Sequence, residues 1–450
     1  MSSEDSPRSR RPHRTAAFAR RPESGGNYKP RRKEPVRWPL APEHLRPRSL
    51  EIDPNETLPR IVLNAPTSHP TLFRKRLGEF DHNARHGDLV EVVLEDGEFF
   101  GYGLFNPRAE AVVRMLRRGT EKPDLPWWKK QLTAALELRT DRFAIPNITD
   151  AYRIVHAEGD GLPGLVIDRY GDLLSVEAYS LGMYQRAEAI IALLAPLCGA
   201  RFWSLRTGTA SDLHEGFQAD LQSGIVADLS PNRPQPPRKV TIQEHGLKFE
   251  VDIQNGQKTG FFCDQRDNRK RLAEHCAGKT VLDLCCYSGG FSLAAKVLGK
   301  AAEVTGVDLD EFALETARRN ARLNRAEIKF AQCDVFSYLR DAIAQGKKWD
   351  VVILDPPKLI LSRREQEEGE HKYFDINRLA GQVVNPGGML VSCSCSGLLK
   401  SDDFTRIVAM AVPRGRFFRL LNRTGAAPDH PIALNCLETE YLKVNWMLAE

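Results

Sequence analysis

No apolar run in the 450 residues approaches the ~20 needed to cross a bilayer, so no membrane partner is expected. Residues 1–21 lack the apolar centre of a secretory signal. No cysteine precedes Cys198, and the nine present are an odd number. Cys285 and Cys286 are adjacent, and Cys393 and Cys395 are one residue apart, so neither pair has C-x-x-C spacing. This removes the usual zinc half-site, and the spacing predicts no metal. Without a secretory signal, the thiols are expected to be reduced, in a cytoplasm. At least one of them is then available for chemistry.

What the sequence does have is ordinary for a soluble globular protein: 42% hydrophobic and 27% charged residues, with length for about two to four domains. The net charge of +5 is unevenly spread. Residues 1–50 hold 13 Lys+Arg against 5 Asp+Glu, whereas the rest holds 51 against 54. Eight prolines and few apolar residues accompany that positive stretch. Residues 1–58 are therefore read as a disordered basic arm, suited to nucleic-acid phosphates or, more plainly, to solubility.

Residues 59–118 carry short β-type runs at Ile61–Leu63, Leu89–Val93 and Ala111–Leu116, separated by turns such as His86–Gly87–Asp88 and Asp96–Gly97. The stretches HPTLFRKRLGEF, GDLVEVV and GYGLFNPRAEAVVRML resemble the PUA domain, which implies a small RNA-binding β-barrel here. Residues 119–237 read as a central α/β domain and linker. The glycine-rich 159–164 lacks a phosphate-loop pattern and is read as a turn. Pro231–Pro237 is read as a linker.

Residues 238–450 alternate strands and helices. The strand candidates are Thr280–Cys286, Val304–Leu309, Ile328–Asp334, Val351–Asp355 and Met389–Cys395, with Tyr441–Leu448 expected to close an edge. Apolar strands separated by helices predict a parallel sheet covered on both faces, with the ligand at the carboxyl ends of its strands. At those ends stand Asp283, then Ser288, Gly289 and Gly290, then Asp308, Asp334 and Asp355. The glycines are not spaced G-x-G-x-x-G. So many carboxylates would repel a pyrophosphate but suit the sulfonium and ammonium of S-adenosylmethionine. Asp308 is placed for ribose hydroxyls and Asp334 for an adenine amino group.

The fourth strand runs into Asp355-Pro356-Pro357-Lys358, an acceptor-binding corner in nucleic-acid methyltransferases. Lys358 and Leu359 follow where adenine-N6 enzymes usually place an aromatic residue. The next strand ends in Ser392-Cys393-Ser394-Cys395-Ser396-Gly397. A thiol there suits the C5 position of a pyrimidine, a poor nucleophile until C6 is attacked. Cys393 and Cys395 alternate onto one face, and Cys395 lies nearer the ligand end. Cys395 is thus the expected nucleophile, Asp355 the group facing N3, and Cys393 a packing residue.

The stretches VDIQNGQKTGFFCDQRDNR, CCYSGGF, DPPK, YFDINRLA, SCSCSGLLKSDDF, DHPI and ETEYLK, with YRIVHAEGDGLPGLVIDRYGD upstream, resemble the ribosomal RNA large subunit methyltransferase I family. The resemblance runs from about residue 59 to 450. It implies a PUA domain, a central α/β domain and a Rossmann-like class I methyltransferase domain. It further implies S-adenosylmethionine as cofactor, cytosine C5 of 23S rRNA or its precursor as substrate, Cys395 as nucleophile, and Gln265 and Arg266 in the cofactor site. A homodimer is compatible with the sequence. A guanine-modifying rRNA methyltransferase and a non-catalytic RNA-binding assembly factor remain as alternatives.

Overall fold

The computed structural model describes residues 39–450 except 54, 209–210, 227–235, 255 and 257–258. Much of the Pro231–Pro237 linker therefore lies outside the described residues. So does the expected arm over residues 1–38. For 39–58 the expectation of disorder is corrected. Leu50 and Leu58 are buried, Leu40 N–H donates to Gly216 O at 2.8 Å, and Arg48 pairs with Asp88 at 2.7 Å. Leu40, Leu45 and Leu50 are few, but they reach the core of the central module.

The first six strands are β1 (Arg60–Leu63), β2 (Thr71–Phe73), β3 (Leu77–Phe80), β4 (Leu89–Leu94), β5 (Phe99–Phe105) and β6 (Ala111–Arg118). They form one sheet in the order β2-β6-β5-β4-β1-β3. Alternate residues of β1 and β4 point inward, so Ile61, Leu63, Val90 and Val92 join Phe105, Val113 and Met115 in a small core.

The central module contains β7 (Ala151–His156), β8 (Leu165–Tyr170), β9 (Leu173–Ala178), β10 (Phe202–Thr207) and β11 (Gln222–Ile225), ordered β11-β10-β9-β8-β7. Helix Leu181–Cys198 joins β9 to the parallel β10. Ser180 caps its first turn by accepting from Met183 N–H, and Gly199 ends it in the left-handed conformation. Its buried Leu181, Ile190, Ile191 and Leu194 share a core with Leu174 and Val176 of β9. In the 159–164 stretch, read as a turn, Gly159 and Asp160 end a 3-10 helix (Ala157–Asp160) and the turn follows from Gly161. Gly159 has a packing reason as well: a Cβ there would come within 2.3 Å of Pro431 O.

A hairpin, β12 (Lys239–Glu244) and β13 (Leu247–Asp252), precedes the last sheet. Its Ile242, Phe249 and Val251 pack with Tyr170 and Leu173 of the central module and with Leu293 and Ala294 beyond. The seven-stranded sheet comprises β14 (Thr280–Leu284), β15 (Glu303–Asp308), β16 (Lys329–Gln332), β17 (Trp349–Leu354), β18 (Val384–Ser394), β19 (Phe418–Thr424) and β20 (Lys443–Ala449). Its order is β16-β15-β14-β17-β18-β20-β19. The first five strands are parallel. The order reverses between β14 and β17, where open α/β sheets leave a ligand crevice.

One expectation is corrected here. The strand read at Tyr441–Leu448 is not an edge: β20 lies antiparallel between β18 and β19. The edge strand β19 exposes Leu420 and Leu421 and has little apolar alternation, which is why the sequence does not announce it. Among the described residues, no helix is long and apolar enough to cross a membrane.

Candidate active site

The turn after β14 is built from backbone that most residues avoid. Cys285, Tyr287 and Gly289 all have positive φ (61°, 48° and 81°). Two of these are not glycine, so the surrounding hydrogen bonds hold the strain. Cys286 N–H donates to Val307 O at 3.1 Å, Gly289 N–H to Cys286 O at 2.8 Å, and Asn320 Nδ2 to Ser288 O at 3.0 Å. Asp308 Oδ2 accepts from Tyr287 N–H at 2.8 Å, tying the turn to the end of β15. Gly290 then opens the helix Gly290–Leu293.

The carboxylates expected at the strand ends are there. Asp283 is fully buried; one oxygen accepts from Ser292 N–H (2.8 Å) and Oγ–H (2.6 Å), while Oδ1 is buried without a hydrogen-bond partner. Burial raises its pKa to about 6, against the two Ser292 hydrogen bonds, and the Asp308 charge adds to the rise. Asp355 accepts from Gln265 Nε2 at 3.0 Å. Burial, then the charges of Asp264 and Asp283, push it up to about 7. Asp308 is half-buried. Asp334 is exposed, and one of its oxygens caps the helix Val335–Ala344 through Ser337 N–H at 2.9 Å.

These residues fit S-adenosylmethionine. Carboxylates that raise one another's pKa form an electrostatic complement to a ligand carrying a sulfonium and an ammonium. The orphaned Asp283 Oδ1 is an acceptor beside the glycine turn.

Gln265 lies in this group, with Oε1 accepting from Asn268 Nδ2 at 2.7 Å. Arg266 does not join it. Its guanidinium forms a bidentate pair with Asp429 at 2.8 and 3.0 Å, and both side chains are buried. Asp429 also accepts from Arg153 N–H at 3.0 Å, and its backbone carbonyl accepts from Arg139 at 2.7 Å. Arg139 in turn forms a bidentate pair with Asp160 at 2.6 and 2.8 Å. Burial would raise the Asp429 carboxyl, but His430 and Arg266 hold it well below the usual range. Sequence reading gave the DHPI stretch no role; a charge in an otherwise apolar loop was the available signal.

Of the two candidate thiols, Cys393 is fully buried on β18. Burial, then the Asp355 charge, push it well above the ordinary value, against a hydrogen bond to Gln265. Cys395 is half-buried just past β18, its Sγ 3.9 Å from Pro356 O of the DPP corner. Lys443 was missed by sequence reading, although it ends the ETEYLK stretch. Its ammonium donates to Ser396 O at 2.6 Å and Tyr441 O at 2.8 Å. Burial lowers it to about 8, partly offset by the charge of Cys395, so the two groups interact electrostatically.

A cavity of about 420 Å³ opens where the three modules meet. It is lined by Arg114 of β6, Arg153 and Tyr179 of the central module, and Phe262, Asp264 and Tyr441. Tyr441 O–H donates to Asp264 Oδ2 at 2.6 Å, one residue from Gln265.

Comparisons with known proteins agree with this geometry. The S-adenosylmethionine-dependent methyltransferase family matches residues 160–437, and the PUA-like domain family matches residues 66–118. The ribosomal RNA large subunit methyltransferase I of Aeromonas salmonicida is 37% identical over 380 residues, 83% of this chain and 94% of the relative. That of Escherichia coli O157:H7 is 35% identical over 383 residues, with the same coverage. Among solved structures, SMU.776, a proposed methyltransferase in complex with SAH, has a TM-score of 0.73 at 20% identity, over 86% of this chain and 99% of its own. An S-adenosylmethionine-dependent methyltransferase proposed in Streptococcus mutans has a TM-score of 0.72 at 21% identity, with the same coverage. At such identities these two structures speak for the fold alone. The fold, the carboxylate-lined crevice and the extent of these matches together mean that the chain belongs to the ribosomal RNA large subunit methyltransferase I family of S-adenosylmethionine-dependent methyltransferases.

Proposed function

We propose that this chain methylates C5 of a cytosine in 23S rRNA through a covalent adduct between Cys395 and C6 of the base. The observation that carries the reading is a half-buried thiol just past β18 whose Sγ lies 3.9 Å from the carbonyl oxygen of Pro356, the residue after a carboxyl poised near neutrality at the end of β17. The relatives' names give ribosomal RNA of the large subunit as the substrate class.

When bound, S-adenosylmethionine supplies an electrophilic methyl group. Gln265, Asp283, the 288–290 turn, Asp308 and Asp334 are the residues proposed to hold it. Cys395 attacks C6 as the thiolate, favoured by the nearby Lys443 ammonium. With a pKa of about 7, Asp355 keeps a large protonated fraction at neutral pH. It can therefore donate to N3 as charge develops there, leaving C5 nucleophilic. Once C5 has gained the methyl group, its proton passes to solvent, Asp355 takes back the N3 proton, and the Cys395–C6 bond breaks, which expels the thiolate and restores the ring. The target base has to leave its stack to reach the thiol. The cavity beside Asp264 offers Tyr179, Phe262 and Tyr441 as stacking surfaces for RNA bases. The PUA-like sheet is proposed to help select the RNA.

The test uses 23S rRNA fragments in which the target cytosine carries fluorine at C5, which blocks the final elimination. The wild type should form a denaturation-resistant RNA adduct, and Cys395→Ala should form none while still binding S-adenosylmethionine. Cys393→Ala should form the adduct. The opposite pattern would overturn the assignment. Methylation by Cys395→Ala would favour the guanine-modifying alternative, which needs no thiol.

A further inference from the structure

Away from the crevice, three metal-binding side chains converge from distant parts of the sequence. His69 lies just before β2, whereas Cys436 and Glu438 lie in the turn after the DHPI stretch. Cys436 Sγ is 3.6 Å from His69 Nε2 and 3.7 Å from Glu438 Oε2, and the latter two atoms are 3.8 Å apart. The triangle is nearly equilateral. Bonds of about 2.0–2.3 Å to a tetrahedral zinc ion put neighbouring ligand atoms about 3.3–3.6 Å apart. The observed spacing exceeds this by only a few tenths of an ångström.

The supporting structure is in place as well. Thr71 N–H donates to His69 Nδ1 at 3.0 Å and Thr71 O lies 3.0 Å from the same nitrogen, so the ring is held with Nε2 facing the thiol; a metal at Nε2 takes the tautomer in which Nδ1–H donates to Thr71 O. The turn is braced by Ala433 N–H donating to Thr439 Oγ1 (2.9 Å) and by Thr439 Oγ–H donating to Cys436 O (2.7 Å). Asn435 Nδ2 donates to Ser68 O at 3.0 Å, holding the turn against the residue before His69. Cys436 is buried and Glu438 exposed, which leaves an open side for water as a fourth ligand.

We propose that His69, Cys436 and Glu438 form a zinc site that clamps the PUA-like module to the 430s turn. A thiolate and a carboxylate balance the two positive charges of the ion. Zinc binding expels the thiol proton to solvent, so affinity rises with pH. The cysteine spacing that predicted no metal could not reveal this site, because only one of its ligands is a cysteine.

The experiment uses the full chain, reduced and stripped with a chelator. It is titrated with Zn²⁺ against a chromophoric competitor and, separately, with Co²⁺. Wild type should bind one zinc that Cys436→Ser and His69→Ala lose. Glu438→Gln, a nearly isosteric change at an exposed side chain, should weaken zinc binding by at least the roughly tenfold typical of losing an outer-shell partner. The cobalt form should show a thiolate charge-transfer band that Cys436→Ser abolishes. The other eight cysteines are common to all variants, so the difference between proteins decides. No zinc bound by wild type, or equal zinc and equal cobalt spectra in wild type and Cys436→Ser, would overturn the site.

Discussion

Replacing Asp429 by Asn removes one charge from a buried ion pair and leaves Arg266 buried with only the exposed Asp267, 3.4 Å from its Nε, as counter-charge. The carboxylate serves two Arg266 N–H groups, the Arg153 backbone N–H and His430. Removing one partner of a buried pair costs about 3–5 kcal/mol, a large share of the ~5–15 kcal/mol that holds a native protein together. The double variant Asp429→Asn/Arg266→Met removes the stranded cation too and should recover at least ~1 kcal/mol of that loss. Urea unfolding of wild type, both single variants and the double variant measures this. The sign with pH follows from the depressed carboxyl. Its contribution is complete above the ordinary aspartate value of about 3.9 and is lost only as pH falls toward the folded value. The Asn penalty should therefore not shrink between pH 7 and pH 5. A single variant within about 1 kcal/mol of wild type, or a double variant as unstable as the two losses added, would refute the reasoning.

The other predictions concern the crevice. Asp308→Ala should weaken S-adenosylmethionine binding roughly tenfold or more, since a charged hydrogen bond is worth about 1.5–3 kcal/mol; unchanged affinity by calorimetry would remove Asp308 from the ribose role. Asp355 is protonated below about pH 7 and ionised above it. Single-turnover rates should therefore carry an inflection near pH 7 that Asp355→Asn removes, leaving a rate that rises with pH as the thiolate forms. An inflection that survives in Asp355→Asn belongs to another group.

Much of the parallel sheet was legible because its strands are continuous apolar runs that end in Asp, as in Val281–Asp283 and Val351–Asp355. Alternation puts Cys393 and Cys395 on one face of the strand, and the position of Cys395 nearer the carboxyl end goes with its lesser burial. Other features were hidden for physical reasons. Leu40, Leu50 and Leu58 are too sparse to read as structure against a background of arginine and proline, yet each finds a core or a backbone partner. Arg266 sits beside Gln265 in the chain, but a helix turns neighbouring side chains to different surroundings, and only the distant Asp429 reveals its partner. β19 gave no signal because an edge strand needs only one partner and little buried surface.

The insertion of β20 between β18 and β19 has a consequence for how the protein is made. The strand leading to Cys395 is translated well before its antiparallel neighbour. Ser394 and Lys443 pair directly, yet the ribosome must add the intervening residues at about 5–20 per second. For several seconds the nascent β18, with Leu390 and Val391, presents an unpaired apolar edge that other chains could join. Truncation before Lys443 would make that interval permanent, because it deletes an interior strand rather than a dispensable tail. Shortened products are thus expected to be lost to aggregation or proteolysis before they can compete for RNA.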